Sequence, residues 1–72
     1  MNVEFWAKII GSNIKAFRLQ AEITQAELGD KIGASVPAVS RLESGEHLPS
    51  LKTIIKLAEA LDVNPCVLLE SA

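Results

Sequence analysis

Apolar residues recur along the chain with a helical period. In the first segment, predicted as a helix from about Val3 to Gln20, one stripe of a 3.6-residue period contains Trp6, Ile10, Ile14 and Phe17. Phe5 and Ile9 extend the apolar surface beside this stripe. Nothing alternates with a period of two for long enough to predict a strand, so the pattern predicts an all-α protein.

Capping residues divide the middle of the chain into further helices. Thr24 with Glu27 three residues later forms a capping box that starts a second helix, and Gly33 ends that helix. Ser35 caps a third helix that runs from Val36 to about Ser44.

Two more helices are predicted after residue 49. Ser50 caps a fourth helix. Leu57 flanks the apolar face of this helix, which consists of Leu51, Ile54, Ile55, Ala58 and Leu61. Asn64 and Pro65 are a cap and a first-turn proline, and they start a last short helix from Cys66 to Glu70. The sequence therefore predicts five helices.

The size of the chain, 72 residues, predicts a single domain over residues 1–72. A core of this size rarely contributes more than ~3–5 kcal/mol, so additional stabilisation is expected. Cys66 is the only cysteine and His47 the only histidine, which excludes an internal disulfide and a Cys/His-rich zinc site. We therefore expect oligomerisation, and no metal or cofactor.

The apolar runs and the charges limit the partners. No run approaches the ~18 residues that span a bilayer, and the start of the chain lacks a signal-peptide pattern, so we expect no membrane contact and a cytoplasmic location. The net charge is −2, yet the stretch 31–56 has four cations against two acids, a local charge of +2. A basic middle favours a polyanionic partner there.

The stretch from Gln25 to Ser44 carries the functional signal, because it places two short helices around a turn that contains a glycine. Gly29 is expected where the two helices cross most closely. The apolar residues that would lock the pair at a steep angle are Leu28, Ile32, Val39 and Leu42. Such a pair holds its second helix outward, where it can enter a major groove of DNA.

The spacing of these residues resembles the Cro/repressor-type (phage repressor-like, XRE-like) helix-turn-helix family from about Ile10 to Leu69. The matching pattern is Ile14-x-x-x-Arg18, Thr24-Gln25-x-Glu27-Leu28, Ile32-Gly33, Leu42-Glu43-x-Gly45, Pro49 and Leu57-Ala58-x-Ala60-Leu61. The resemblance implies a compact five-helix lambda-repressor-like DNA-binding domain. It also implies a bacterial or phage-encoded transcriptional regulator of the repressor type, which binds the major groove of double-stranded DNA.

The resemblance also assigns residues. Gln25 would contact a phosphate, and Arg18 and Glu43 would form a partly buried structural ion pair. The other DNA-binding positions would be Ser35, Val36, Pro37, Ala38, Ser40, Arg41 and Ser44. Arg41 is the expected reader of a base, whereas Val36 and Pro37 either touch thymine methyl groups or only pack the start of their helix.

The sequence departs from the family pattern at four residues. Gly29 stands in place of the usual alanine, and Glu46 stands where Lys or Arg often faces the DNA backbone. Val36 and Pro37 replace polar residues that often read bases. The fold assignment is unaffected by these departures, but Glu46 predicts weaker attraction to phosphates.

The end of the chain predicts a homodimer on a palindromic operator. Five of the seven residues from position 63 are apolar, more than one face of a short helix can bury: Val63, Cys66, Val67, Leu68 and Leu69. We expect Leu68 and Leu69 to be buried. Cys66 and Val67 would then face outward, with Val63 or Trp6 as neighbours in the interface.

A second hypothesis is an antitoxin-like or other protein-interaction module that uses the same fold to bind a partner protein. The negative net charge and Glu46 favour it. An enzyme is not expected, because the chain has no nucleophile–base pair, no second histidine and no phosphate-binding glycine loop.

Overall fold

The computed structural model describes residues 2–71, which form four α-helices and one 3-10 helix, without a strand in this range. The α-helices are α1 (Val3–Gln20), α2 (Gln25–Ile32), α3 (Val36–Ser44) and α4 (Leu51–Leu61). The 3-10 helix, η1, covers Pro65–Leu69. The predicted all-α fold is confirmed.

The prediction of a fifth α-helix from Cys66 to Glu70 is wrong. Cys66 to Leu69 belong to η1, and Glu70 is the residue that follows it. The side chain of Asn64 accepts a hydrogen bond from the backbone N–H of Cys66 (2.9 Å), and Glu70 is already extended at ψ 134°. Five residues between these two points are too few to nucleate a stable α-helix, and the tighter 3-10 turn takes their place.

The helix ends follow from local hydrogen bonding. In the capping box of α2, the backbone N–H of Thr24 donates to Glu27 Oε1 (2.8 Å) and that of Glu27 donates to Thr24 Oγ1 (3.0 Å). Gly33 and Gly45 end α2 and α3 in the left-handed region, at φ 73° and 81°. A side chain would be strained there, which explains glycine at both positions.

The core lies where α1 and α3 meet α2, α4 and η1. Its buried apolar residues are Ile10, Ile14, Leu28, Ile32, Val39, Ile54, Leu57, Ala58, Leu61 and Leu68. Of the predicted stripe on α1, Ile10 and Ile14 are buried, whereas Trp6 and Phe17 are half-buried at its margin. None of the described helices is both long and apolar enough to span a bilayer.

Two expectations about the core need correction. On α4, Leu57 is fully buried, whereas Leu51 and Ile55 are 69% and 44% exposed. The buried stripe of α4 therefore runs i, i+3, i+4, i+7 from Ile54, and the two exposed residues lie beside it. In η1, Leu68 is buried but Leu69 is 41% exposed, because successive residues of a 3-10 helix point about 120° apart.

Gly11 brings the backbones of α1 and α3 together. A Cβ at this position would lie 2.3 Å from the carbonyl oxygen of Leu42 and 2.8 Å from that of Glu43. Both atoms belong to the backbone of α3, so neither can move without shifting the helix. Only glycine permits this approach.

We predict that Gly11→Ala destabilises the fold by ~1–3 kcal/mol, because the overpacking outweighs the gain in helix propensity. The measurement is the free energy of unfolding from urea denaturation. Ser12→Ala, at the adjacent exposed position, is the control and should change stability by less than ~0.5 kcal/mol. Equal stability of Gly11→Ala and the wild type would contradict the close approach.

Candidate nucleic-acid interface

The turn between α2 and α3 sets the position of α3. Gly33 is left-handed, and the N–H of Ala34 donates to the carbonyl of Gly29 at 2.9 Å. Leu28 and Val39 are fully buried between the two helices. The two helices and their turn therefore form one packed unit.

Position 29 requires glycine for a different reason from the helix crossing that the sequence predicts. A Cβ at Gly29 would lie 2.4 Å from the carbonyl oxygen of Ala34, in the turn, and at an ordinary 3.6 Å from Val39 Cγ2. The tight contact is thus with the backbone of the turn and not with the crossing of the helices. A side chain at residue 29 would push the turn away from α2.

Arg18 and Glu43 form a buried ion pair between α1 and α3. Arg18 Nε donates to Glu43 Oε2 at 2.6 Å and Nη2 donates to Oε1 at 3.1 Å, with side chains only 10% and 4% exposed. Arg18 Nη1 also donates to the carbonyl of Ile23, in the loop before α2, at 2.9 Å. The hydrogen bond to the carboxylate raises the pKa of Arg18 above its ordinary value, so the guanidinium stays charged.

Gln25, the first residue of α2, joins this network. Its side-chain Nε2 donates to Glu43 Oε1 at 3.0 Å, and the residue is half-buried. The capping box uses the N–H groups of Thr24 and Glu27, which leaves those of Gln25 and Ala26 outside it. The sequence reasoning missed the contact between Gln25 and Glu43, since no local pattern links residues 18 positions apart.

The outward side of α3 is built from small and apolar residues around one arginine. The exposed residues of this surface are Val36, Pro37, Ser40, Arg41 and Ser44, whereas Ala38 is half-buried. Pro37 lies in the first turn, where the missing N–H costs nothing. Arg41 is therefore the only long polar side chain on this surface.

The two serines at the ends of α3 have local partners. Ser35 Oγ caps the helix by accepting from the N–H of Ala38 at 3.2 Å. Ser44 Oγ lies 3.1 Å from the carbonyl of Arg41 and 3.0 Å from Glu46 Oε2. Glu46 is thus held beside the last turn of α3, where it lowers the positive potential of this surface.

A shallow groove of about 380 Å³ runs beside α3. Arg41, His47 and Lys56 line it together with apolar residues of the turn and of α3, including Ala34 and Ala38. Two of its side chains carry full positive charges. The groove therefore extends the positive surface from α3 to α4 and favours an anionic partner.

A family model, curated proteins and solved structures all match this chain. A family model described as Helix-turn-helix matches residues 14–68. The cryptic phage CTXphi transcriptional repressor RstR of Vibrio cholerae is 42% identical over 41 residues, which cover 57% of this chain and 37% of that protein. The chain spans between about a third and a half of the length of several curated relatives that it matches.

Two solved structures have the same fold. The restriction-modification controller protein C.AhdI from Aeromonas hydrophila superposes with a TM-score of 0.82 and 31% identity, over 86% of this chain and 94% of that one. The P22 c2 repressor protein, in complex with synthetic operator 9T, superposes with a TM-score of 0.79 and 35% identity, over 88% and 96%.

We predict that Glu43→Gln lowers the free energy of unfolding by up to ~3–5 kcal/mol, because Arg18 then remains charged and buried without a counter-ion. Urea denaturation followed by circular dichroism measures this. Glu59→Gln is the matched control, since Glu59 is an exposed helical acid whose loss should change stability by less than ~0.5 kcal/mol. Equal effects of the two variants would show that the ion pair contributes nothing to stability.

Proposed function

Because the chain belongs to the helix-turn-helix family, we propose that it is a sequence-specific DNA-binding transcriptional regulator of the repressor type, without enzymatic activity. The observation that carries the proposal is α3, whose outward surface presents Arg41 while its inner surface is fixed by the buried contacts of Glu43. The similar P22 c2 repressor was solved in complex with an operator. A regulator of this kind acts where the DNA is, which places it in the cytoplasm of a bacterial host.

We assign α3 to the major groove. Arg41 would read a base edge there, most favourably the O6 and N7 acceptors of guanine. Val36 and Pro37 at the start of α3 would touch thymine methyl groups, with Ala38, Ser40 and Ser44 along the same surface. These short side chains allow a close approach of the helix to the bases.

Phosphate contacts would position the chain on the duplex without reading sequence. The start of α2 is one such point, because the N–H groups of Gln25 and Ala26 lie at the positive end of the helix dipole. Ser35 at the start of α3 is a second, and Lys56 beside the groove is a third. The hydrogen bond from Gln25 to Glu43 holds the side chain of Gln25 beside the start of α2, at the first of these proposed phosphate contacts.

We further propose that the chain binds a palindromic operator as a homodimer. Cys66 and Leu69 of η1 are exposed, and Val63 and Val67 are half-buried beside them. On α4, exposed Leu51 and Ile55 lie one turn apart, on the side away from the groove that Thr53 and Lys56 line. Apolar side chains without cover favour an interface, and a two-fold axis would place two α3 helices about one DNA turn, ~34 Å, apart.

Trp6 contributes less to this proposal than expected from the sequence. It is half-buried and its ring packs edge to face on Phe5, with 5.7 Å between the centroids. Its aromatic contact lies within α1, so we give η1 and α4 the main part of the proposed interface and keep Trp6 as a peripheral neighbour.

The proposed role of Arg41 predicts that Arg41→Ala weakens binding to the selected operator by ~1–3 kcal/mol and relaxes the preference at one base pair. Fluorescence anisotropy measures the affinity, and selection from a random DNA pool measures the preference. Arg41→Lys is the control, because it keeps the charge but loses the planar fork of the guanidinium. It should retain non-specific affinity while losing part of the base preference.

Arg41 is exposed, so neither variant should change the melting temperature. An Arg41→Ala protein with the affinity and the selected motif of the wild type would show that Arg41 does not read a base. If the wild type selects no motif at all, the proposed regulator function is wrong.

The dimer proposal predicts that a short bismaleimide links two chains through Cys66, the only cysteine. Ile55→Glu should remove the cross-linked product and give a folded monomer in sedimentation, because it buries a charge in the interface. Leu19→Glu, an equally drastic change at an exposed leucine of α1, should leave the dimer intact. A wild type that sediments as a monomer on its operator and selects a single half-site would contradict the proposal.

A further inference from the structure

Helix α1 carries an uncharged face on the side opposite to the core. Five residues at i, i+4, i+7, i+11 and i+14 lie on one stripe of the helix and are called here the free face of α1: Phe5, Ile9, Ser12, Ala16 and Leu19. Phe5 is 46% exposed and Leu19 is 56% exposed. A surface helix normally has charged and polar residues on this side, so an apolar stripe here requires an explanation.

The other sides of α1 are already in use. The backbone at Gly11 contacts α3, and the side-chain amide of Asn13 donates to the carbonyls of Leu68 and Glu70, both at 2.9 Å. Phe17 lines a shallow groove together with Leu61 of α4. Within residues 2–71 the free face therefore has no covering element, and a groove of about 330 Å³ between Phe5 and Asn13 opens on it.

The two edges of the free face differ in charge. Lys8 and Lys15, seven residues apart, lie along one edge, where Glu4 precedes Lys8 by one turn, and the amides of Asn13 and Gln20 lie along the other. Both lysines are exposed. In the part of the chain that the structure describes, the only ion pair is that of Arg18, so Glu4 does not pair with Lys8. With two lysines and one glutamate, this edge has a net charge of +1.

We propose that the free face of α1 binds one amphipathic helix of another protein, which has acidic residues along the edge that meets Lys8 and Lys15. An apolar stripe of this spacing accepts the apolar face of a second helix. The lysine edge then selects a partner by charge, because acidic residues opposite Lys8 and Lys15 form pairs while basic residues are repelled.

A second copy of the chain fits this face less well. Two α1 helices packed antiparallel would bring the lysine edges together, and parallel packing would set lysines against amides, so neither pairs opposite charges. Two of the five residues, Ser12 and Ala16, are small, so two identical stripes packed on each other would bury little apolar surface at their centre. A membrane surface is also disfavoured, because the cations lie on one edge only and the net charge is −2.

Binding at the free face is compatible with binding to DNA. None of its residues belongs to α2, to α3 or to the groove that Arg41 lines. A bound partner would therefore leave the proposed DNA contacts open, and a ternary complex is expected.

The probe for this proposal is a synthetic amphipathic helical peptide with a leucine stripe flanked by glutamates, compared with the same peptide flanked by lysines. The glutamate peptide should bind the wild-type chain at least about tenfold more tightly than the lysine peptide in fluorescence anisotropy at low salt. In NMR spectra, the amide shifts on binding should concentrate in α1 between Phe5 and Leu19.

Three variants test the face and its charge. Ala16→Glu changes an exposed residue in the middle of the stripe, so it should fold and lose binding of the glutamate peptide. The double variant Lys8→Glu with Lys15→Glu should prefer the lysine peptide instead. The matched control replaces two exposed lysines outside α1, Lys31→Glu with Lys52→Glu, and should keep the wild-type preference.

Several results would overturn the proposal. These are no binding of either peptide, equal binding of both, or amide shifts centred on α3 or α4. Self-association of the wild type that Ala16→Glu abolishes would assign the face to a second copy. Binding to vesicles of anionic phospholipid that the same variant abolishes would assign it to a membrane.

Discussion

A single buried carboxylate, that of Glu43, holds together the elements that present α3. It accepts two hydrogen bonds from Arg18 of α1 and one from Gln25 of α2, while Arg18 also binds the carbonyl of Ile23 in the intervening loop. Ionic groups so deeply buried are tolerated only when each has its partners, and each here is satisfied. The orientation of α3 relative to α1 and α2 is therefore fixed from inside the protein.

This arrangement separates the fixed and the variable sides of α3. On the inner side, the backbone carbonyls of Leu42 and Glu43 meet Gly11, so the position of the helix depends on backbone as well as on side chains. On the outer side, Val36, Pro37 and Arg41 are exposed and bear none of these contacts. The outer residues can consequently change at little cost to stability.

The sequence predicted the boundaries of α1 to α4 well, because local signals determine them. Caps such as Thr24 with Glu27, and left-handed glycines such as Gly33, act within a few residues and are visible in a short window. The orientation of α4 was less predictable, because its apolar residues exceed one face. Leu57 and Leu51 could each have been buried, and only packing against α2 and η1 decided between them.

Features that depend on contacts between distant residues could not be predicted from a short window. The α-helix predicted at the end of the chain is a 3-10 helix, whose exit is held by the amide of Asn13, 55 and 57 positions away from its two acceptors. No periodicity in a short segment can indicate such a partner. The assignment of Arg41 and Gln25 to DNA came from resemblance, whereas the hydrogen bond from Gln25 to Glu43 is visible only in the folded structure. The apolar pattern of α1 placed Phe5 and Ile9 beside the core stripe, and only the structure shows that Phe5 and Leu19 are exposed on one free face.

The way in which η1 is attached has a consequence for the dynamics of the molecule. Only Leu68 of this segment is fully buried, and the amide of Asn13 supplies its hydrogen bonds to the body. Detaching η1 exposes Leu68 and breaks the hydrogen bonds of Asn13, but it leaves the Glu43 network and the packed unit of α2 and α3 in place. Its free energy of opening is therefore a fraction of that of global unfolding, and its amides should exchange with solvent earlier than those of α1. Any molecule that binds only the attached form of η1 would shift this equilibrium by mass action, so that ordering of the segment and assembly at its surface become one linked process.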